Sequence, residues 1–585
     1  MIQYQIQPID PLAHLFAVEI TTDQALPLQQ FNLPAWLPGS YMVRDFARHI
    51  IDINAEDEAG NAVELVQTDK QSWQAQNQTQ QLTVRYQVYA WDLSVRGAHL
   101  DQTHGFFNGS ATFLALVGQE DKPVSVQLLA PAGEQYQAWR VATAMTLDGA
   151  QTYQYGQYRA NDYAELIDHP VEMGEFTLAT FEAGGVPHDL VLTGQHWADT
   201  DRICADLKKI CEVQIEMFGG APYERYLFMT QVVGDGFGGL EHRASTALVC
   251  GRNDLPSVHE TEQSDGYRTF LSLCSHEYFH NWNVKRIKPA EFTPYNLSEE
   301  TYTTQLWAYE GITSYYDDLI VYRAGCIDTA TYLDQLAHGM TRVTRAAGRF
   351  KQTLRESSFN AWTKFYKQDE NAQNAIVSYY TKGAMFALLL DLTLRHETEG
   401  KHSLDCVMKR LWQDFGAKGI GTNNDSHQHI VAELLGRDVS DLFAWLDRTD
   451  DLPLAEMLAT FGCDMTLRNS ASNTDKGGRS KTTCDIDFGA RYKSVSGGVS
   501  IINVRNGSSA QQAGLAAGDK LIAINNLQAN TNIEKQLEKY GIEQTVQLHW
   551  FRRDELMQGE LALKAASPDT VVIVETDSTL VKNWL

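Results

Sequence analysis

The sequence lacks the features that would place it outside the ordinary globular proteins. Its eight cysteines are scattered through 585 residues without a Cys-x-x-Cys pair, so neither a disulfide framework nor a zinc ribbon is expected. No run of 18 apolar residues occurs, which argues against a membrane-spanning helix. Hydrophobic residues at 43% and charged residues at 21% exclude a disordered or fibrous chain.

Positive charge is also scarce. There are 48 Lys and Arg against 74 Asp and Glu, for a net charge of −26. Such a surface repels phosphate backbones and anionic lipid, so we expect no nucleic-acid partner and no membrane partner. The first residues, MIQYQIQPIDPLAHLF, show no basic leader followed by an apolar run and a cleavage site. We therefore expect a cytoplasmic protein.

At about 150 residues per domain, a length of 585 residues predicts a multidomain protein, and we expect it to be of the α+β class. Short alternating segments separated by turn signals indicate an antiparallel β domain over residues 1–175. A mainly helical domain is expected over residues 176–452: after a few further strands, apolar residues at helical spacing indicate a helical region from about His196 to Asp450. A polar stretch, Asn469 to Thr483, predicts an exposed linker inside a C-terminal region, residues 453–585, that ends in a small domain.

The sharpest motif is His276-Glu277-Tyr278-Phe279-His280. On a helix, residues four apart share one face, so His276 and His280 can converge on one zinc ion. Glu277 lies about 100° around the helix, beside the metal, where a base can take a proton from water.

Zinc needs a third protein ligand and one open position. Glu310, in the segment LWAYEGITSYY, is the best candidate, because a carboxylate among Trp and Tyr side chains is costly to bury without a cation. Glu299 and Glu300 are near in sequence but favour a helix start. Asp317 and Asp318 follow Glu310 and are either partners of the ligating imidazoles or part of a solvated helix face.

With the segments HEYFHNWNVKRIKP and LWAYEGITSYY, and with PAWLPGSYMVRDF over residues 34–46, the chain resembles the glycyl aminopeptidase family of zinc metallopeptidases over nearly its whole length. The resemblance implies an N-terminal β domain, a thermolysin-like catalytic domain and a C-terminal PDZ domain. It also implies one zinc ion per chain and peptide substrates that begin with small residues, Gly or Ala.

Two more motifs are similar to segments of the wider aminopeptidase group. Gly238-Gly239-Leu240-Glu241-His242 resembles the G-x-M-E-N segment, which implies that Glu241 receives the free amino terminus; glycines on an edge strand also let a substrate backbone approach closely. This chain has Leu240 and His242 where the group has Met and Asn. Tyr380-Thr381-Lys382-Gly383 resembles Y-x-K-G, which implies that Tyr380, rather than its neighbour Tyr379, stabilises the oxyanion.

The C-terminal run AGLAAGDKLIAIN, which ends at Asn525, resembles a bacterial PDZ domain. A PDZ domain adds an extended peptide to a sheet edge. We expect its loop and edge at Gly497, Gly498, Val499 and Ile501. The alternative is a packing module or lid without a peptide partner.

Together these features predict a zinc aminopeptidase that uses Glu277 as base and Tyr380 as oxyanion donor. A zinc endopeptidase with the same residues is the second hypothesis. The third hypothesis is a PDZ-type peptide-binding protein whose catalytic centre has lost its activity.

Overall fold

The computed structural model describes residues 2–479 and 482–585, so Met1 and the linker residues Ser480 and Lys481 lie outside the described part. The chain divides into two compact units. Unit 1 comprises Met1–Thr301, Arg323–Cys326 and Trp412–Thr422, and unit 2 comprises Tyr302–Tyr322, Ile327–Leu411 and Asn423–Leu585. Within the described residues, no helix combines the length and the apolar character that crossing a bilayer requires.

The first part of unit 1 is built of short strands, as predicted. They are β1 (Ile2–Asp10), β2 (Leu15–Thr22), β3 (Gln30–Asn32), β4 (Ile50–Asp57), β5 (Ala62–Val63), β6 (Leu65–Gln67), β7 (Ser72–Ala75), β8 (Leu82–Tyr89), β9 (Ala98–Leu100), β10 (His104–Phe107), β11 (Ala115–Leu116), β12 (Val124–Leu128), β13 (Arg140–Ala142), β14 (Thr146–Leu147), β15 (Gly156–Ala160) and β16 (Val171–Gly174), with the short helix α1 (Tyr163–Leu166) before β16.

These strands form three sheets. The largest runs in the order β14-β15-β12-β1-β2-β8-β4-β5, and smaller ones run β13-β16-β10-β9 and β11-β3-β7-β6. Alternation along β1 and β2 buries Tyr4, Ile6, Val18 and Ile20 in one core, because successive side chains of a strand point to opposite faces. The antiparallel β character predicted for residues 1–175 is confirmed, although β1 and β12 pair in parallel.

A mixed sheet follows in unit 1 and carries part of the candidate site. Its elements are β17 (Phe176–Ala183), β18 (Val186–Thr193), helix α2 (Thr200–Phe218), β19 (Tyr226–Val233), β20 (Phe237–Glu241), β21 (Ser245–Gly251) and helix α3 (Asp265–Phe279). The strand order is β17-β18-β19-β21-β20, so β20 lies at the edge, antiparallel to β21. Helices α2 and α3 are joined by the buried Gln214 amide, which donates to the Ser275 carbonyl at 3.0 Å.

Unit 2 begins with the later part of the predicted helical region; the earlier part, from about His196, lies in unit 1 and also contains strands β19, β20 and β21. A π-helical turn, Trp307–Gly311, leads directly into α4. The helices are α4 (Ile312–Arg323), α5 (Thr329–Arg345), α6 (Leu354–Phe359), α7 (Ala372–Ala375), α8 (Thr381–Glu397), α9 (Leu404–Asp414), α10 (Ser426–Leu435), α11 (Ser440–Phe443) and α12 (Leu454–Thr460). Helix α8 is buried around most of its circumference, which makes it a central element of this bundle.

The C-terminal part of unit 2 returns to β structure. Its elements are β22 (Cys463–Arg468), β23 (Ile486–Asp487), β24 (Ala490–Val495), β25 (Gly498–Val504), α13 (Ser509–Gln512), β26 (Lys520–Ile524), β27 (Leu527–Gln528), α14 (Ile533–Leu537), β28 (Thr545–Arg552), β29 (Glu555–Ala562), β30 (Lys564–Ala565), β31 (Thr570–Glu575) and α15 (Ser578–Val581). The predicted linker is not simply exposed: Asp475 accepts two hydrogen bonds from Arg468, at 2.6 and 3.0 Å.

The C-terminal sheet differs from the expected peptide-binding edge. It runs β24-β25-β26-β28-β29, so β25 has a strand on either side and the free edge belongs to β24. A Cβ on Gly498 would lie 2.2 Å from the Leu521 carbonyl oxygen of β26. Gly498 therefore packs against the protein's own strand, and Val499 and Ile501 are buried core residues. An open edge at Gly497–Ile501 requires a free β25, which this register does not provide.

Candidate active site

Helix α3 positions the two predicted imidazole ligands. Its amino end is capped by Ser264, whose hydroxyl oxygen accepts a hydrogen bond from the Tyr267 amide at 3.0 Å. The helix ends at Phe279 with His280 as its C-cap residue. The rings of His276 and His280 lie 4.7 Å apart between centroids, at an interplanar angle of 85°. The predicted helical spacing thus brings both imidazoles together on one face.

The chemistry of these donors fits zinc. His280 Nδ1 lies 2.7 Å from the Asn283 carbonyl oxygen. A carbonyl can only accept, so Nδ1 carries the proton and the lone pair resides on Nε2, the tautomer of a metal-ligating histidine. His280 is buried and His276 is half-buried, which leaves the pair near solvent on one side.

Edge strand β20 lies against the same helix. A Cβ on Gly239 would lie 2.1 Å from Glu277 Oε1, closer than any side chain tolerates. The glycine is needed here because the carboxylate occupies the space that a side chain would take. Glu277 is buried and is thereby placed directly over the strand backbone.

Glu241, at the end of β20, completes this cluster of unit 1. Carboxylate oxygens of Glu241 and Glu277 and a ring nitrogen of His280 all lie within 4.8 Å of one another. Glu241 is buried, and its Oε1 has no hydrogen-bond partner among the described residues. A buried carboxylate oxygen without a partner is costly in the free protein, and a cationic ligand would relieve that cost.

A turn from the N-terminal segment covers Glu241. A Cβ on Gly39 would lie 2.5 Å from both Glu241 carboxylate oxygens, and Gly39 has a φ of +88°. Both facts require glycine at this position. Sequence reasoning quoted the segment around Gly39 but assigned it no role in the site, because nothing in the sequence pairs positions 39 and 241.

A buried charge network supports the end of β20. Asp168 accepts from Lys285 Nζ at 2.6 Å and from the Arg243 amide at 3.0 Å, and it lies 3.3 Å from His242 Nδ1. Burial acts to raise the pKa of Asp168, but the charge of Lys285 and the contact with His242 outweigh it and hold this pKa well below its usual range. Sequence reasoning missed Asp168 entirely and quoted Lys285 only as part of a motif.

Unit 2 brings together Glu310 and Tyr380. Glu310 is buried in the π-helical turn. Gly311 contacts Gly383 of α8 so closely that a Cβ on Gly311 would lie 2.6 Å from the Gly383 Cα atom. Burial and, next, the negative charge of Glu310 raise the pKa of the Tyr380 phenol well above its usual value. The neutral phenol is therefore kept as a hydrogen-bond donor.

Two tyrosines lie near Glu310, and their exposure differs. Tyr379 is fully buried, whereas Tyr380 is half-buried, and their rings lie 4.7 Å apart. Tyr380 has its hydroxyl oxygen 3.4 Å from that of Tyr366, a residue that sequence reasoning did not select. Farther along α4, Asp318 accepts from the Gln335 amide at 3.1 Å.

Three segments of the chain match known family models. Residues 3–175 match the peptidase M61 N-terminal domain, residues 269–386 match the M61 glycyl aminopeptidase, and residues 486–563 match a PDZ domain. No curated protein matches the chain in a sequence comparison.

The fold is also similar to solved structures. An aminopeptidase N family protein from Idiomarina loihiensis is 47% identical, with 100% of both chains covered and a TM-score of 0.98. An M1 zinc metallopeptidase from Deinococcus radiodurans is 14% identical, with 77% of this chain and 94% of that chain covered and a TM-score of 0.49.

Proposed function

The chain belongs to the M61 glycyl aminopeptidase family, and from this premise we propose that it releases single glycine or alanine residues from the amino ends of peptides. The protein is a metallo-aminopeptidase, a hydrolase. The metal, the roles of the individual residues and the preference for small first residues are the parts that we propose.

We assign His276, His280 and Glu310 as the ligands of one zinc ion per chain. The support is the paired imidazoles of α3, the Nδ1 proton held by the Asn283 carbonyl, and the burial of Glu310. Zinc, when bound, supplies a Lewis acid that makes water more acidic and polarises the scissile carbonyl.

Glu277 acts as the general base and then as the general acid. Its carboxylate takes a proton from the attacking water and returns it to the nitrogen of the departing peptide. Its position over the Gly239 backbone supports this role, because a substrate that extends along β20 would present its first peptide bond there. Tyr380 donates its hydroxyl proton in a hydrogen bond to the oxyanion as that charge develops.

The observation that carries the proposal is the partnerless carboxylate oxygen of Glu241, within 4.8 Å of Glu277 and His280 ligand atoms. The α-ammonium group of a peptide would pair with it and place the first peptide bond beside the base. An endopeptidase has no use for a buried anion at this point. The preference for a small first residue rests on the match to the M61 glycyl aminopeptidase model.

The first experiment compares glycyl-p-nitroanilide with its N-acetylated form. An amine-anchored site should cleave the free amine and reject the blocked compound. Replacing Glu241 by Gln should lower kcat/KM for the free amine by about 10- to 100-fold, as expected for loss of a charge-assisted hydrogen bond. Equal cleavage of both compounds would instead identify an endopeptidase.

The second experiment tests the base and the metal. Glu277→Gln should retain one zinc per chain by metal analysis and lose about 10²- to 10⁴-fold in kcat. Removal of zinc by a chelator should abolish wild-type activity, and added zinc should restore it. Full activity in Glu277→Gln would refute the assigned base, and purified protein with far less than one zinc per chain would refute the metal site.

A further inference from the structure

Arg96 lies beside β20, at the edge of its sheet. The proposed chemistry gives no role to a cation at this position. Its Nη2 donates to the Gly239 carbonyl oxygen at 3.0 Å. Its Nη1 lies 3.7 Å from the position that a Cβ on Gly238 would occupy. The guanidinium therefore sits at the level of Gly238 and Gly239 and binds the Gly239 carbonyl of β20, the edge strand of its sheet.

The turn that carries Arg96 is held in place. The buried Asn108 side chain donates to the Val95 carbonyl at 2.6 Å, and the Asn108 amide donates to the Gly97 carbonyl at 3.1 Å. Val95 itself is buried in the core. This anchored backbone and the hydrogen bond from Nη2 to the Gly239 carbonyl together hold the guanidinium in place before any ligand arrives.

No ion pair to a carboxylate is formed by Arg96 within residues 2–479 and 482–585, and its Nε is buried without a hydrogen-bond partner there. Arg96 lines a 300 Å³ cavity with apolar walls from Leu93, Val233, Phe237 and Val249. Asp235 lines the same cavity but makes no ion pair with Arg96. A planar guanidinium with unused donors is suited to a carboxylate.

The register of a bound peptide connects this cation to the reaction. If the amino group pairs with Glu241, the peptide runs back along β20 toward Phe237, and its first carbonyl lies near Gly239, opposite Glu277. The next residue is about 3.3 Å farther along, beside Gly238 and the guanidinium. The carboxylate at the end of a dipeptide therefore falls next to Arg96.

We propose that Arg96 forms a subsite for the terminal carboxylate of very short peptides, so that the enzyme acts preferentially on dipeptides with a free carboxyl end. This inference rests on the proposed aminopeptidase function and narrows its substrate class. Arg96 is a binding residue in this scheme and takes no part in proton transfer.

The test compares glycyl-alanine with glycyl-alanine amide, which differ only in the terminal charge. The wild-type enzyme should prefer the free acid by at least about 10-fold in kcat/KM, mainly through KM, as for one charge-assisted pair. Arg96→Gln should reduce that preference to near unity, and Arg96→Lys should retain part of it. Arg159→Gln, at an exposed position of β15, should keep the wild-type preference.

A wild-type ratio near unity would overturn the subsite while leaving the aminopeptidase intact, and it requires no variant to be folded. An unchanged ratio in Arg96→Gln would also overturn it. If neither dipeptide form is cleaved while an N-blocked peptide is, the proposed aminopeptidase function fails as well.

Discussion

At the scale of single residues, two glycines leave the space that the carboxylates of Glu241 and Glu277 occupy. Gly39 allows the Glu241 carboxylate to lie under a turn, and Gly239 allows Glu277 to lie over the edge strand. In each case the carbon of an added methyl group would lie only 2.1 to 2.5 Å from a carboxylate oxygen. The site is therefore sensitive to the smallest possible substitution.

Replacing Gly239 by Ala should displace Glu277 and lower kcat by about 10- to 100-fold, because a misplaced group forfeits much of its catalytic contribution. Steady-state kinetics on glycyl-p-nitroanilide would measure this effect. Gly234→Ala is the matched control: its Cβ would have no atom within 4 Å, and activity should be retained. Wild-type kcat in Gly239→Ala would show that Glu277 does not need its observed position.

Asp168→Asn should be strongly destabilising, because it leaves Lys285 buried without its ion-pair partner, at a cost of about 3–5 kcal/mol. The pKa of Asp168 is held below its unfolded value, so its contribution is full above the unfolded pKa of about 3.9 and is lost as the pH falls through the folded pKa.

Denaturant unfolding at pH 6 should show the full difference between wild type and Asp168→Asn, and the difference should shrink below about pH 4. Asp121→Asn, at an exposed position, should change little at either pH. A difference that grows as the pH falls would contradict the assigned direction.

At the scale of elements, the π-helical turn before α4 positions Glu310. The turn contacts α8 through Gly311 and Gly383, whose backbones touch. A π-helical turn accommodates an extra residue within a helix and changes the direction of its side chains, and such turns are frequent at functional sites. The position of Glu310 thus depends on a helix contact that only glycine permits.

Gly311→Ala should separate the two helices, weaken zinc binding and lower activity by at least about 10-fold, in line with the loss seen when metal-site supports are altered. Zinc titration together with kinetics would measure both effects. Gly339→Ala in α5 meets only ordinary contact, at 3.6 Å, and should be neutral or slightly stabilising, since Ala favours a helix over Gly by about 1 kcal/mol. Tight zinc binding in Gly311→Ala would contradict the role of this contact.

Local patterns predicted the elements well, and distant contacts escaped prediction. The alternation in β1 and β2 and the four-residue spacing of His276 and His280 are set by neighbours in sequence. The cover of Glu241 by Gly39 and the pairing of Asp168 with Lys285 join residues more than 100 positions apart. The position of β25 between two strands escaped prediction for the same reason, because a strand's second neighbour is a property of the folded sheet.

At the scale of the whole molecule, the last residues return to the helical part of unit 2. Trp584 is buried, its indole nitrogen donates to the Tyr315 hydroxyl at 3.3 Å, and Tyr315 in turn donates to Asp391 at 2.7 Å. The end of the chain is thereby tied to α4, the helix that follows Glu310.

Trp584→Ala should cost about 3–5 kcal/mol of stability, as for other buried large-to-small changes, and activity should be lost at a lower temperature than in the wild type. Thermal inactivation would measure this. Leu580→Ala, at a position 38% exposed, should have a much smaller effect. Equal inactivation temperatures for wild type and Trp584→Ala would show that the tail is dispensable.

Strands β22 and β31 pair side by side, with Arg468 opposite Thr570. The chain leaves the helical part of unit 2 through β22 and returns through β31, so the two chain connections of the C-terminal module lie side by side. A module attached in this way can be gained, exchanged or lost during evolution. A tight turn that joins the neighbouring ends of β22 and β31 would replace it without changing the path of the chain through the helical part.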